Sequence, residues 1–165
     1  MNERQCYEIY PTSTVVLRTT LALFLSGVGA AILAGFGMWA GLAYLAYCIV
    51  ATSLIMRFRC KYCVYYGKTC SGGTGRMAAL LFKPGDNADF PRYIKYIAPI
   101  FLVGILPVLG GVVLLVVDFS VVTLVLLAVF FVGQFIVSER VLVKYGCDRC
   151  KQRDTCPGYQ LTRQS

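Results

Sequence analysis

The chain has 165 residues, of which 58% are hydrophobic, with a mean hydropathy of +0.67 and a formal net charge of +8. That apolar share excludes an ordinary soluble globular domain. Eight cysteines and no histidine exclude a haem held by two histidines and point to sulfur as the ligand the chain has to offer.

The apolar residues form two blocks, 15–56 and 94–143. Each is too long for one crossing, because a helix needs roughly 20 residues to traverse ~30 Å of hydrocarbon. The expected fold is therefore an all-α integral membrane protein with four transmembrane helices, arranged as two tandem hairpins. Its parts are an N-terminal segment (1–14), a first hairpin (15–57), a Cys-rich loop (58–93), a second hairpin (94–143) and a Cys-rich tail (144–165). None of the 16 Lys and Arg residues lies between Arg18 and Arg57 or between Lys95 and Arg140. The positive-inside rule then places the N-terminus, the middle loop and the C-terminus on the cytoplasmic side of the plasma (inner) membrane. The net charge reads as an orientation signal with attraction to anionic headgroups, and no nucleic-acid partner is expected. The N-terminal segment, with Glu3, Arg4, Glu8 and Pro11, does not read as a signal peptide.

In chain order, the first hairpin is expected at 15–35 and 38–57, turning at Gly35-Phe36-Gly37, with Trp39 at the interface. Arg18 is expected to snorkel to the headgroups. Gly27, Ala31 and Gly35, and Gly37 with Gly41, recur every four positions and predict close helix packing. Cys48 reads as a small core residue outside any site. The loop carries Cys60, Cys63 and Cys70, a glycine-rich run at 71–75, and an amphipathic run at 76–83. That run is expected either to lie on the membrane, with Met77, Leu80, Leu81 and Phe82 toward lipid, or to cap the cysteine loop. Pro84-Gly85-Asp86-Asn87 predicts a turn. Gly67-Lys68-Thr69 is no nucleotide loop, because Tyr62 stands where the motif needs glycine. Tyr62, Tyr65 and Tyr66 read first as interfacial anchors and second as a stacking surface.

The second hairpin is expected at 96–117 and 121–143, joined at Asp118-Phe119-Ser120. Asp118 is expected to cap the fourth helix, Pro99 and Pro107 to kink the third, and Gln134 to bond across helices. The absence of mid-membrane ionisable residues argues against a pump or ion channel.

The tail repeats the loop's cysteines as Cys147, Cys150 and Cys156. Cys60 and Cys63 moved forward by 87 positions fall on Cys147 and Cys150, and the patterns are Cys-x2-Cys-x6-Cys and Cys-x2-Cys-x5-Cys. An internal repeat is expected, with the two copies related by a pseudo-two-fold axis along the membrane normal and both triplets at one pole. On a reducing face such thiols stay reduced unless they bind metal or turn over. A Cys-x2-Cys turn aims two sulfurs at one point, and a third makes three corners of a tetrahedron with Zn–S near ~2.3 Å. Cys60, Cys63, Cys70, Cys147, Cys150 and Cys156 are therefore the candidate metal ligands, with zinc the expected ion. Three completions stay open: a fourth ligand such as Cys6, two zinc ions sharing bridging thiolates, or an iron–sulfur cluster held by four of the sulfurs.

The Cys-x2-Cys-x6-Cys spacing is similar to each half of the binuclear zinc cluster of fungal transcription factors, which implies a metal geometry and no DNA-binding context. Cys156-Pro157 resembles the end of the bacterial ferredoxin run, which implies an iron–sulfur centre as the alternative. Four membrane helices with Cys-x2-Cys pairs resemble the quinone-coupled disulfide-forming oxidoreductases, implying quinone-linked thiol chemistry. Those enzymes place their thiols on the opposite, oxidising face. Lys61, Lys68, Arg149, Lys151 and Arg153 favour thiolate in every case. The expected function is a membrane protein with a cytoplasmic metal–thiolate module, structural or docking a protein partner, and no residue pattern assigns it a reaction.

Overall fold

The computed structural model describes residues 6–93, 100–153, 156 and 159. Among them the protein is helical and without strands: α1 Thr12–Leu33, α2 Met38–Phe58, α3 Thr74–Leu81, α4 Phe90–Tyr93, α5 Phe101–Val117, α6 Val121–Phe131 and α7 Ser138–Tyr145. A π turn, Val132–Val137, joins α6 to α7, and short 3-10 turns occur at Ala34–Phe36, Cys60–Tyr62, Asn87–Asp89 and Cys147–Arg149.

Pro11 starts α1, a few residues before the apolar run itself begins. Its fixed φ suits a helix entry. The first hairpin turns where expected, at Ala34–Phe36 followed by Gly37 with φ of 130°, a backbone region that side chains rarely adopt. The helices meet closely at Gly41, where a Cβ would lie 2.9 Å from the Ala30 carbonyl oxygen and 3.3 Å from the Ala34 Cβ. Gly27 has nothing within 4 Å and Ala31 is exposed, so the contact stripe of α1 runs through Ala30 and Ala34, one position off the predicted one.

The Tyr44 hydroxyl donates to the Val103 carbonyl at 2.8 Å, tying α2 to α5. Pro107, buried inside α5, packs with Tyr44 around Gly29. Pro99 lies outside the described residues. Leu25, Val28, Ile32 and Phe130 form the core that joins α1, α5 and α6. Leu114 packs at Gly35, and Leu33 and Phe36 pack at Gly110, so both hairpin turns sit at one end of the bundle. Asp118 closes α5, its amide bonding the Leu114 carbonyl, while α6 starts after Ser120 with no side-chain cap. The predicted Asp118 cap on the fourth helix is therefore not formed. Gln134 lies in the π turn against Gly104.

The stretches Thr12–Phe36 and Met38–Tyr62 are long and apolar enough to cross a membrane, and only 22% and 17% of their apolar windows are buried. Phe101–Val117 and Val121–Val137 are apolar and shorter. Leu23, Trp39, Ile49, Val116 and Val122 point outward and are mostly exposed. Together they make an apolar exterior of a kind that is rare on soluble monomers.

Candidate metal–thiolate centre

At the end opposite the hairpin turns, α2 ends at Phe58, with Arg59 as its C-cap at φ −117° and the Arg59 amide on the Ile55 carbonyl. Cys60, Lys61 and Tyr62 form a 3-10 turn, Cys63 is extended (φ −88°, ψ 144°), and its amide donates to the Cys60 carbonyl at 3.3 Å. The tail follows nearly the same path: Gly146 at φ −111°, the turn Cys147–Arg149, Cys150 extended (φ −87°, ψ 132°), and the Cys150 amide on the Cys147 carbonyl at 3.1 Å. In each turn the second sulfur accepts the amide two residues on. Gln152 donates to Cys150 Sγ at 3.4 Å, and Tyr65 donates to Cys63. The Gly75 amide donates to Cys70 Sγ at 3.3 Å, as expected of a glycine-rich run beside a thiol.

The two turns hold each other through a reciprocal pair of bonds. The Val64 amide donates to Gln152 Oε1 at 3.2 Å, and the Lys151 amide donates to the Tyr65 hydroxyl oxygen at 3.1 Å. Val64 and Lys151 are 87 positions apart, and so are Tyr65 and Gln152. Both side chains are buried.

The segment before α1 straps the two turns together. The Tyr7 amide donates to the Arg149 carbonyl at 3.0 Å, and the Tyr65 hydroxyl donates to the Tyr7 carbonyl at 2.6 Å. The Tyr10 amide reaches the Thr69 carbonyl in the first loop, and its hydroxyl reaches the Gly146 carbonyl in the tail. Edge-to-face stacking of Tyr7 on Tyr10 and of Tyr10 on Tyr65 fills the space between. Cys6 Sγ donates to the Cys150 carbonyl at 3.6 Å.

Helix α3 closes over the first turn. A Cβ on Gly75 would lie 2.6 Å from the carbonyl oxygens of both Tyr65 and Lys68, so only glycine fits. Ala78 is fully buried against Met56 and Cys60. Thr74 Oγ1 sits 3.2 Å from Cys60 Sγ and 3.8 Å from Cys70 Sγ. The opposite face presents Met77, Leu80 and Leu81 outward, so α3 both caps the loop and offers an apolar surface. Phe82, expected toward lipid, turns inward onto the Met56–Cys60 cluster.

The three tyrosines bind the pole to itself: Tyr62 packs on Gly85, Tyr65 joins three segments, and the Tyr66 hydroxyl donates to the Phe82 carbonyl at 2.6 Å. The Arg18 guanidinium donates to Ser71 Oγ beside Cys70.

Burial pushes the Cys63 thiol up to about 12, against the pull of the Tyr65 amide and with Cys150 and Cys60 adding to the rise. Burial also raises Cys147, opposed by Arg59, and Cys150, opposed by the Gln152 amide. Such thiols keep their protons at neutral pH and are poor nucleophiles until a base or metal takes the proton. All eight cysteines are free thiols. Among the described residues no three Cys, Asp or Glu side chains stand grouped closely enough to hold a metal ion as they are. The fold does bring the predicted residues to one pole: Cys60 and Cys70 share Thr74, Cys63 and Cys150 lie within electrostatic reach across the junction, and Cys156 lies within reach of Cys147 and Cys150. Sequence reasoning missed the pole's uses of Tyr10, Arg18, Thr74 and Gln152. Only Gln152 had a signal, since it takes the place of Tyr65 when the chain is shifted by 87. No protein family, curated protein or solved structure matches the chain.

Proposed function

We propose that this is a four-span membrane protein built from two tandem units, each a helical hairpin followed by a Cys-x2-Cys turn, whose turns form one metal–thiolate module on the cytoplasmic face. The reciprocal bonds between the turns carry this reading. Copies related by a two-fold axis meet so that residue i contacts j while j contacts i, which is the pattern of Val64 with Gln152 and Lys151 with Tyr65.

Cys60, Cys63 and Cys70 supply three sulfurs and Cys147, Cys150 and Cys156 three more. Amides are already aimed at the sulfurs of Cys63, Cys70 and Cys150, as they would be around metal-bound thiolates. Zinc is the favoured ion, because it takes thiolates tetrahedrally, needs no redox partner, and ties together a pole with few apolar residues of its own. The apolar helix exteriors and the confinement of Lys and Arg to the sequence around the cysteine turns support the membrane placement and its orientation. Around the module, exposed Lys68, Arg76 and Lys151 lie with exposed Leu80 and Leu81, a basic and apolar rim suited to headgroups and to an acidic protein partner. The module is thus a staple that holds a docking platform.

Elemental analysis with an absorption spectrum of anaerobically purified protein tests this. Colourless protein with stoichiometric zinc is expected. Metal-free protein whose thiols all titrate freely overturns it, and visible absorbance that bleaches on reduction assigns an iron–sulfur centre instead.

A further inference from the structure

We propose that the outward face of α3 is seated in the anionic headgroup layer of the bilayer that its own chain crosses, so that lipid, and not a protein, covers Met77, Leu80 and Leu81. This rests on the membrane reading of the helices and names what the apolar part of the rim meets.

The depth of α3 is fixed by what it packs on. At its start, a Cβ on Gly73 would lie 3.0 Å from Val15 Cγ1 and 3.8 Å from Thr19 Oγ1, in the first turns of α1. Its inner face sets Ala78 on Met56 and Cys60, with Ile55 beside them, at the last turn of α2. Helix α3 therefore stands beside the two long apolar helices, not beyond their ends. It is level with Val16 and Leu17, which are exposed on the outside of α1. At the same level the Arg18 guanidinium is bonded to Ser71 Oγ, in the run that leads into α3. A cytoplasmic partner meets the pole past the helix ends, whereas a face at the depth of the first apolar turns meets the membrane boundary.

Charge points to the same occupant. Met77, Leu80 and Leu81 stand at i, i+3 and i+4 on one side of the helix, and α3 contains no acidic residue. Exposed Arg76 lies within it, exposed Lys83 follows it, and exposed Arg57 adjoins Met56 beneath it. Such a basic border complements anionic headgroups. Backbone groups near lipid also need partners. Just past α3, the Phe82 amide bonds the Ala78 carbonyl and the Phe82 carbonyl accepts from the Tyr66 hydroxyl. Three apolar side chains hold a free peptide poorly, but α3 is already fixed to the bundle through Gly75 and Ala78, so little freedom is lost when it meets lipid.

The test uses full-length protein with Trp39, the only tryptophan, changed to Phe, reconstituted in vesicles whose acyl chains carry bromine at shallow or deep positions. Leu80→Trp places the reporter on the outward face, Ala79→Trp on the exposed water side of the same helix, and Leu23→Trp on the exposed exterior of α1 as the membrane reference. In phosphatidylcholine with phosphatidylglycerol, shallow bromine is expected to quench Leu80→Trp at least about twofold more than Ala79→Trp. Brominated phosphatidylglycerol diluted into plain phosphatidylcholine is expected to quench Leu80→Trp about fivefold more than brominated phosphatidylcholine at the same fraction, an excess that Arg76→Glu with Lys83→Glu removes. Weak and equal quenching at Leu80→Trp and Ala79→Trp, with Leu23→Trp quenched by deep bromine, overturns the inference while the membrane reading stands. Leu80→Trp sheltered from acrylamide but untouched by bromine also overturns it, and gives the face to a protein partner. Equal quenching by the two brominated lipids overturns the anionic assignment. Absence of quenching at Leu23→Trp overturns the inference and the membrane reading together.

Discussion

Tyr65 joins three separate stretches of chain with one hydroxyl, since it belongs to the first turn, donates to Tyr7 and accepts from Lys151. Tyr65→Phe leaves the Tyr7 carbonyl and the Lys151 amide, joined to it by part-buried bonds, without their partner, a cost of about 1–3 kcal/mol. Tyr66→Phe removes one bond to Phe82 and costs about 1 kcal/mol. The thermal midpoint of detergent-solubilised protein should fall further for the first, and equal falls would count against Tyr65 as the clasp. Cys63 gives a pH dependence at the same scale. Its ordinary value is 9.0 and burial raises it to about 12 in the folded chain. The folded state therefore prefers the thiol, a preference that contributes stability fully below about 9 and is lost as pH rises toward about 12. Metal-free protein should show a denaturation midpoint that drops over that range. A flat profile there would show that Cys63 is not shielded.

Among the elements, α3 was legible as an amphipathic run, but its two-sided use was not. Hydropathy places Met77, Leu80 and Leu81 on one face and says nothing of the small residues behind them, Gly75 and Ala78, which the chain packs against carbonyls and Cys60. The difference is testable by placing the same charge on each side. Leu80→Glu, at a position 86% exposed, should change stability by no more than about 0.5 kcal/mol. Ala78→Glu, at a position with no exposure, buries a carboxylate beside Met56 and Cys60 and should cost about 3 kcal/mol or more, read as faster proteolysis of the first loop. Equal sensitivity at both positions would mean that α3 does not sit as a lid.

For the whole molecule, the cysteine turns and the hairpin turns lie at opposite ends of the bundle. A membrane-impermeant thiol reagent, applied after metal removal, should reach the part-exposed Cys6 and Cys70 from the cytoplasmic side only. Asp118→Cys, in the α5–α6 turn, should react from the opposite side only. Labelling of both sets from one side would refute the four-span arrangement. The same end-to-end segregation explains why helices with little polar structure can carry a polar pole: the bundle buries Leu25, Ile32 and Phe130 at its centre and leaves hydrogen bonding to its end.

The sequence by itself determined the helical hairpins, their turns and the six thiols, four of them at matched positions, because hydropathy, glycine punctuation and cysteine spacing act over a few neighbouring residues. It also located Gly41 as a close-packing point, while putting the facing stripe of α1 one residue off, since a four-residue spacing fits more than one face of a helix. Only the tertiary structure decided that Arg18 turns to Ser71, that Tyr65 and Gln152 exchange bonds, and that the strap carries Cys6 to Cys150. Those contacts join residues far apart in the chain, and no local periodicity encodes which distant amide will need a partner once the helices have packed.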